Sequence, residues 1–118
     1  MKQVDTISVK ELQELAENMY GNIVKAVVDI DKKIMVIDAE MHVDEEQYLL
    51  EHDSQQKSLC GINLHPAEYW TDNFIEFDSM INIRPRQQNM SRSVEDTTVQ
   101  GQIKDLVSGI VTKWYLIR

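Results

Sequence analysis

Three of the four arginines of this chain, Arg84, Arg86 and Arg92, fall between residues 79 and 94, a stretch without a single acid. The whole 118-residue sequence carries 20 carboxylates against 12 lysines and arginines, a net charge of −8. Guanidinium forks match the oxygen geometry of carboxylates and phosphates. Asn89 and Ser91 add hydrogen-bond donors, and a helix N-terminus is expected just beyond, so Arg84 to Arg92 has the composition of an anion-binding loop. Its spacing matches no established phosphate loop. The same arginines suit a second role. Residues 29–53 hold nine carboxylates against Lys32 and Lys33, so the loop is also the electrostatic complement of that segment, within one chain or across a homo-oligomer.

A second group lies just upstream. Over residues 74–84, Ile75, Phe77, Ile81 and Ile83 alternate with Glu76, Asp78, Asn82 and Arg84, the pattern of a strand with one buried and one polar face. Alternation sets the four polar side chains in one row, with Asn63 on a neighbouring strand candidate. Left open, this row is an ordinary solvated face. Covered by a loop, it becomes a polar pocket in which Glu76 or Asp78 serves as an acid/base within reach of a guanidinium.

Glu40, His42 and Asp44 would share one face if a strand ran through 44, and one imidazole with two carboxylates can hold a divalent metal. The same residues read as the acidic first turn of a short helix, and on that reading no metal site is expected. His52 and His65 stand alone in loop-like sequence. Cys60 sits among apolar neighbours with no adjacent base, which makes it a packed thiol, and as the only cysteine it excludes an internal disulfide and any thiolate zinc site. Tyr69, Trp70, Trp114 and Tyr115 supply aromatic surface for packing or for an oligomer contact.

The elements that must carry these residues follow from periodicity. Ser8-Val9-Lys10-Glu11 is a capping box, and Val9, Leu12, Leu15, Ala16 and Met19 continue at helical spacing up to Gly21, so a helix is predicted over 9–20. Two β-branched runs, 23–30 and 34–39, are separated by Asp31-Lys32-Lys33 and form a hairpin. A short helix is expected over 43–51 and further strands over 58–64 and 74–84. Pro85 ends the last of these. Asp96 caps a helix predicted over 97–114, despite Gly101 and Gly109. The order α-β-β-α-β-β-α lacks the alternation of a doubly wound sheet. It gives an α+β fold, residues 1–118 forming one domain: a mostly antiparallel four-stranded sheet with helices packed on one face.

Composition narrows the function classes. The acidic balance argues against duplex nucleic acid, whose affinity rests on phosphate neutralisation. No apolar run approaches the roughly 18–20 residues a membrane span needs, and the N-terminus lacks the apolar stretch of a secretion signal. A cytoplasmic location is the expectation.

The stretches Gly61-Ile62-Asn63-Leu64, Ile75-Glu76-Phe77-Asp78-Ser79-Met80-Ile81-Asn82-Ile83-Arg84-Pro85-Arg86-Gln87 and Ser91-Arg92-Ser93-Val94-Glu95-Asp96 resemble an uncharacterised family of small prokaryotic proteins, the domain-of-unknown-function 5674 family. Residues 24–28 and 40–46 extend the resemblance over most of the chain. Gln88 and Thr97 stand where such proteins commonly have Gly and Pro. The resemblance implies no activity, cofactor or catalytic residue. Two functions are expected from the residues themselves: a non-catalytic interaction module that self-associates through the arginine loop, or a protein or enzyme that binds a small anion or phosphometabolite. The second would use Arg84, Arg86, Asn89, Ser91, Arg92, Glu76, Asp78 and Asn82.

Overall fold

The computed structural model describes residues 1–113. Its elements are β1 (Lys2–Val4), β2 (Ile7–Ser8), α1 (Val9–Met19), β3 (Val24–Asp29), β4 (Ile34–Ile37), α2 (His42–Glu51), β5 (Leu59–Leu64), β6 (Ile75–Glu76), α3 (Thr97–Ile110) and β7 (Val111–Thr112), with short 3-10 turns between them. Strands run antiparallel in the order β1-β4-β3-β5-β6, and β2 pairs in parallel with β7 as a separate two-stranded sheet. The α+β class and the antiparallel sheet are as expected. The sheet has a fifth strand because the N-terminal residues 2–4 add to β4 as an edge.

Alternation along the strands divides the sheet into two faces. Val24, Ala26, Val28, Met35, Ile37, Cys60, Ile62 and Leu64 point into a core filled by Leu12 and Ala16 of α1 and by Ile103, Leu106, Val107 and Ile110 of α3. The capping box starts α1 as its sequence dictates: the Glu11 amide donates to Ser8 Oγ at 3.1 Å and the Ser8 amide to Glu11 Oε1 at 3.1 Å. Helices α1 and α3 thus cover one face, as the pattern predicts. The opposite face carries α2, whose Leu49 packs on Val27, Val36 and Leu59.

Two boundaries differ from expectation. Helix α3 stops at Ile110, because Val111 and Thr112 turn extended to pair with Ile7 and Ser8. Trp114 and Tyr115 lie outside the described residues. The strand expected over 74–84 pairs with β5 only at Ile75 and Glu76. Ser79 then caps a 3-10 turn over Met80–Asn82, its hydroxyl accepting from the Ile81 amide at 3.3 Å, so Glu76, Asp78, Asn82 and Arg84 do not share a strand face.

Beyond β6, side chains complete the edge of β5 in place of a strand. The Gly61 amide donates to Asn82 Oδ1 at 2.8 Å, and Asn82 Nδ2 donates to the Gly61 carbonyl at 2.9 Å and to the Arg92 carbonyl at 2.9 Å. This close approach requires glycine: a Cβ at Gly61 would stand 2.6 Å from both Cβ and Oγ of Ser79 and 3.0 Å from Ile81 Cγ1. Gly61→Ala is therefore expected to push the turn off the sheet and destabilise the fold by about 1–3 kcal/mol, the usual cost of overpacking. Chemical denaturation checks this, and an unchanged midpoint would show that the turn is free to shift.

Candidate functional site

The loop from Arg84 to Glu95 is ordered by its own polar groups. Arg84 and Asn89 form an isolated antiparallel bridge, with the Arg84 amide 2.8 Å from the Asn89 carbonyl. Asn89 Nδ2 donates to the carbonyls of Asn82 (2.7 Å), Ser93 (2.7 Å) and Ser91 (3.1 Å), while its Oδ1 accepts from the Glu95 amide at 2.8 Å. The Ser91 hydroxyl, followed by the Met90 and Ser91 amides, favours the ionised form of Glu95 and lowers its pKa. Asn89 and Ser91, expected as ligand donors, thus shape the loop. The amides at the start of α3 are also engaged, since Asp96 Oδ1 accepts from Thr98 at 2.8 Å and from Val99 at 3.4 Å.

The three arginines go to different places. Arg84 donates from Nη2 to the Leu59 carbonyl at 2.6 Å and lies 3.6 Å from Glu46 of α2, so one contact between the loop and the acidic segment is made inside the chain. Arg92 is exposed and donates from Nε to Asp78 at 2.6 Å. Arg86 is exposed and has no side-chain partner among the described residues.

A cleft of about 200 Å³ opens at the completed edge of β5. Ile30, Leu59, Cys60, Val94 and Val99 form its apolar part, and Lys57, Asn82, Arg84, Gln87, Asn89 and Asp96 its polar part. Arg84 Nε is buried and has no hydrogen-bond partner. The sequence points to Arg84, Asn82 and Asn89, but the cleft's second cation, Lys57, sits in a linker with no motif around it and gives no signal. Burial pushes the Cys60 thiol up to about 11, outweighing the opposing charge of Arg84, so this cleft-lining cysteine is a packed thiol rather than a nucleophile.

A second polar cluster lies along β5 and β6, next to the start of α2. His42 places Nε2 2.7 Å from the Ile62 carbonyl, and burial lowers its pKa. Asn63 Nδ2 donates to Glu76 Oε1 at 3.1 Å and to the Asp78 carbonyl at 3.2 Å, and His65 meets the same Glu76 oxygen at 3.0 Å. Glu76, Asp78, Asn63 and Arg92 do converge, through these contacts rather than through a common strand face. Because α2 begins at His42, Glu40, His42 and Asp44 do not align on a strand, and the described residues hold no group of three or more His, Cys, Asp or Glu suited to a metal. His52 stacks on Tyr48 at 4.1 Å and bonds its carbonyl. Tyr69 packs edge-on against Phe74, and Trp70 is exposed with Lys113 over its ring.

Among the described residues no helix is long and apolar enough to cross a membrane. No curated protein and no solved structure matches the chain. A family model described as a protein of unknown function, DUF5674, matches residues 3–110, and it takes in every strand and helix above except Lys2 of β1 and the last strand, together with the glycine-dependent turn and the loop from Arg84 to Glu95. The chain belongs to the DUF5674 family of proteins of unknown function.

Proposed function

We propose that the protein binds a small organic anion with an apolar body, seated in the cleft at the edge of β5. The observation that carries this reading is the incomplete use of Arg84: its Nε has no partner, in a side chain that lines a cleft whose other cation is Lys57. A buried guanidinium donor left bare costs about 1–3 kcal/mol, which an incoming carboxylate or phosphate oxygen would recover. The apolar wall of Ile30, Leu59, Val94 and Val99 suits the remainder of such a ligand.

A thermal-shift screen at constant ionic strength, using inorganic phosphate, sugar phosphates, nucleotides and aliphatic and aromatic carboxylates, tests it. A ligand at about 100 times its Kd stabilises by about 2.7 kcal/mol, a rise of several degrees. Lys57→Ala is expected to weaken a hit about tenfold, and Val99→Trp, which fills the cleft, to abolish it. Equal binding by Val99→Trp would place the ligand elsewhere.

A second reading has its own support. Met80, Ile83 and Met90 are exposed on the same segment as the unpaired Arg86, a mixture of apolar and guanidinium surface common at protein contacts. On this reading the protein is an interaction module that self-associates through the loop. A flat ligand screen with a melting temperature that rises with protein concentration, and falls back in Arg86→Glu, would favour it.

A further inference from the structure

Five buried side-chain atoms lack a hydrogen-bond partner among the described residues: Nε of Arg84 in the cleft at the edge of β5, and, on α2 and on the face of the sheet that α2 covers, both oxygens of Glu45, one of Glu46 and Oδ1 of Asn63. The Glu46 oxygen faces Arg84 Nη2 at 3.6 Å, which accounts for it, and Arg84 Nε belongs to the cleft at the edge of β5. What remains, Glu45 and Asn63 Oδ1, is all acceptor once the Glu45 carboxyl is ionised. Glu45 is completely buried and Asn63 nearly so. The Ala39 amide favours the ionised Glu45 carboxyl without reaching hydrogen-bond geometry. His42, one turn before Glu45 on the same helix face, uses Nε2 on the Ile62 carbonyl, and its Nδ1 has no partner. The nearby donor, Lys25, is directly opposite Asn63 across the β3–β5 ladder but holds its ammonium 5.1 Å over the ring of Tyr20.

We propose that the layer beneath the first turns of α2 is a binding site for a primary ammonium group, with Glu45, Asn63 Oδ1 and His42 Nδ1 as its acceptors. An ammonium offers three donors and no acceptor, which matches this set. The surrounding acidic segment, residues 29–53, supplies the matching field. Entry requires α2 to lift. Its N-cap, Met41, makes no side-chain hydrogen bond, and its flanking residues Asp38 and Asp53 both hold left-handed backbone, φ 70° and 75°, where a non-glycine residue stores strain. This site is independent of the Arg84 cleft in residues and in ligand charge.

Binding must release a proton, because burial keeps the Glu45 carboxyl neutral and an ammonium ionises it. The charged groups facing Glu45 are Lys25 from β3, the N-terminal ammonium and Asp38 from the sheet edge. Lys25, Asp78 and Arg92 face His42.

The test is calorimetric titration of the full chain with n-butylammonium, using tetramethylammonium as a control that carries the charge but no N–H donor. Affinity for n-butylammonium is expected to rise about tenfold or more between about pH 6 and about pH 8, with proton release seen as a dependence on buffer ionisation enthalpy. Tetramethylammonium should not bind. Glu45→Gln, nearly isosteric and already neutral, should fold and lose the pH dependence and at least about tenfold in affinity. Asn63→Leu should lose affinity while keeping the proton release of any residual binding. Equal binding of the two cations, undiminished binding by Glu45→Gln, a stronger response to magnesium than to n-butylammonium, or no binding of n-butylammonium would each overturn the proposal.

Discussion

Asn82→Ala is expected to lower the melting temperature by about 15 °C or more, a larger loss than Gly61→Ala produces. The carboxamide is almost fully buried and supplies both hydrogen bonds of the Gly61 peptide edge plus a third to the Arg92 carbonyl. Truncation leaves a buried amide and a buried carbonyl without partners, at about 1–3 kcal/mol each, and opens a polar gap beside them. The total, about 3–5 kcal/mol, corresponds to a shift of that size because each kcal/mol moves a domain near this length by about 4 °C. Hydrogen exchange provides the local check. The Gly61 amide, slow in the native protein, should exchange far faster in the variant, and a loss of less than about 3 °C with Gly61 still protected would show that another group completes the edge. Asn82→Asp should be at least as harmful, since it adds a buried charge and removes the donor to Gly61 and Arg92.

The second large effect is a pH dependence governed by Glu45. Burial raises its carboxyl from 4.5 to about 9 in the folded chain. The unfolded chain releases this proton near 4.5 while the folded chain keeps it to about 9, so the folded state binds more protons throughout that window. Stability from this group is complete below about 4.5 and declines as pH rises toward 9. His42 acts in the opposite sense. Its lowered pKa means that the unfolded state binds more protons below 6.5, so its contribution is present above that value and lost on acidification. Cys60, raised from 9.0 to about 11, affects stability only above about 9.0, where its unfolded thiol ionises first. Between 6.5 and 9.0 the decline therefore belongs to Glu45 among these three groups.

Since each pKa unit is worth about 1.4 kcal/mol, the wild-type protein should lose a few kcal/mol across the alkaline half of the window. Glu45→Gln should be flatter by that amount and more stable at about pH 8, because a neutral amide has nothing to ionise. Denaturation at a series of pH values measures both curves. Parallel curves would mean that Glu45 is ionised in the fold, with water or Lys25 as its partner.

Some elements were legible because their signals are local. The capping box at Ser8 and Glu11, the β-branched runs of β3 and β4 and the Asp96 cap each rest on residues within a few positions of one another, and all three appear at or close to the expected boundaries. The loop from Arg84 to Arg92 was visible as a concentration of unusual residues, but its internal wiring was not. Whether Asn89 faces a ligand or ties four backbone groups together depends on where the chain returns, and composition carries no information about that.

The stretch 74–84 shows the limit most clearly. Apolar and polar residues alternate there as in a strand, yet after Glu76 the chain gives its place on β5 to the side chains of Asn82 and Arg84. Period-two alternation reports which side chains are apolar; it does not report whether peptide groups or side chains will satisfy the neighbouring strand.

Sequence alone determined the α+β class, the helix starts, the central hairpin and the segregation of negative charge into residues 29–53 and of guanidinium groups into residues 79–94, because each follows from chemistry within a short window. Tertiary structure decided that α2 covers the second face of the sheet, that Arg84 meets Glu46, and that the Glu45 carboxyl and Asn63 Oδ1 are buried without a hydrogen-bond donor. These are encounters between residues about 20 to 40 positions apart. Their energies depend on burial and on which partners are present, quantities that exist only once the chain has closed on itself.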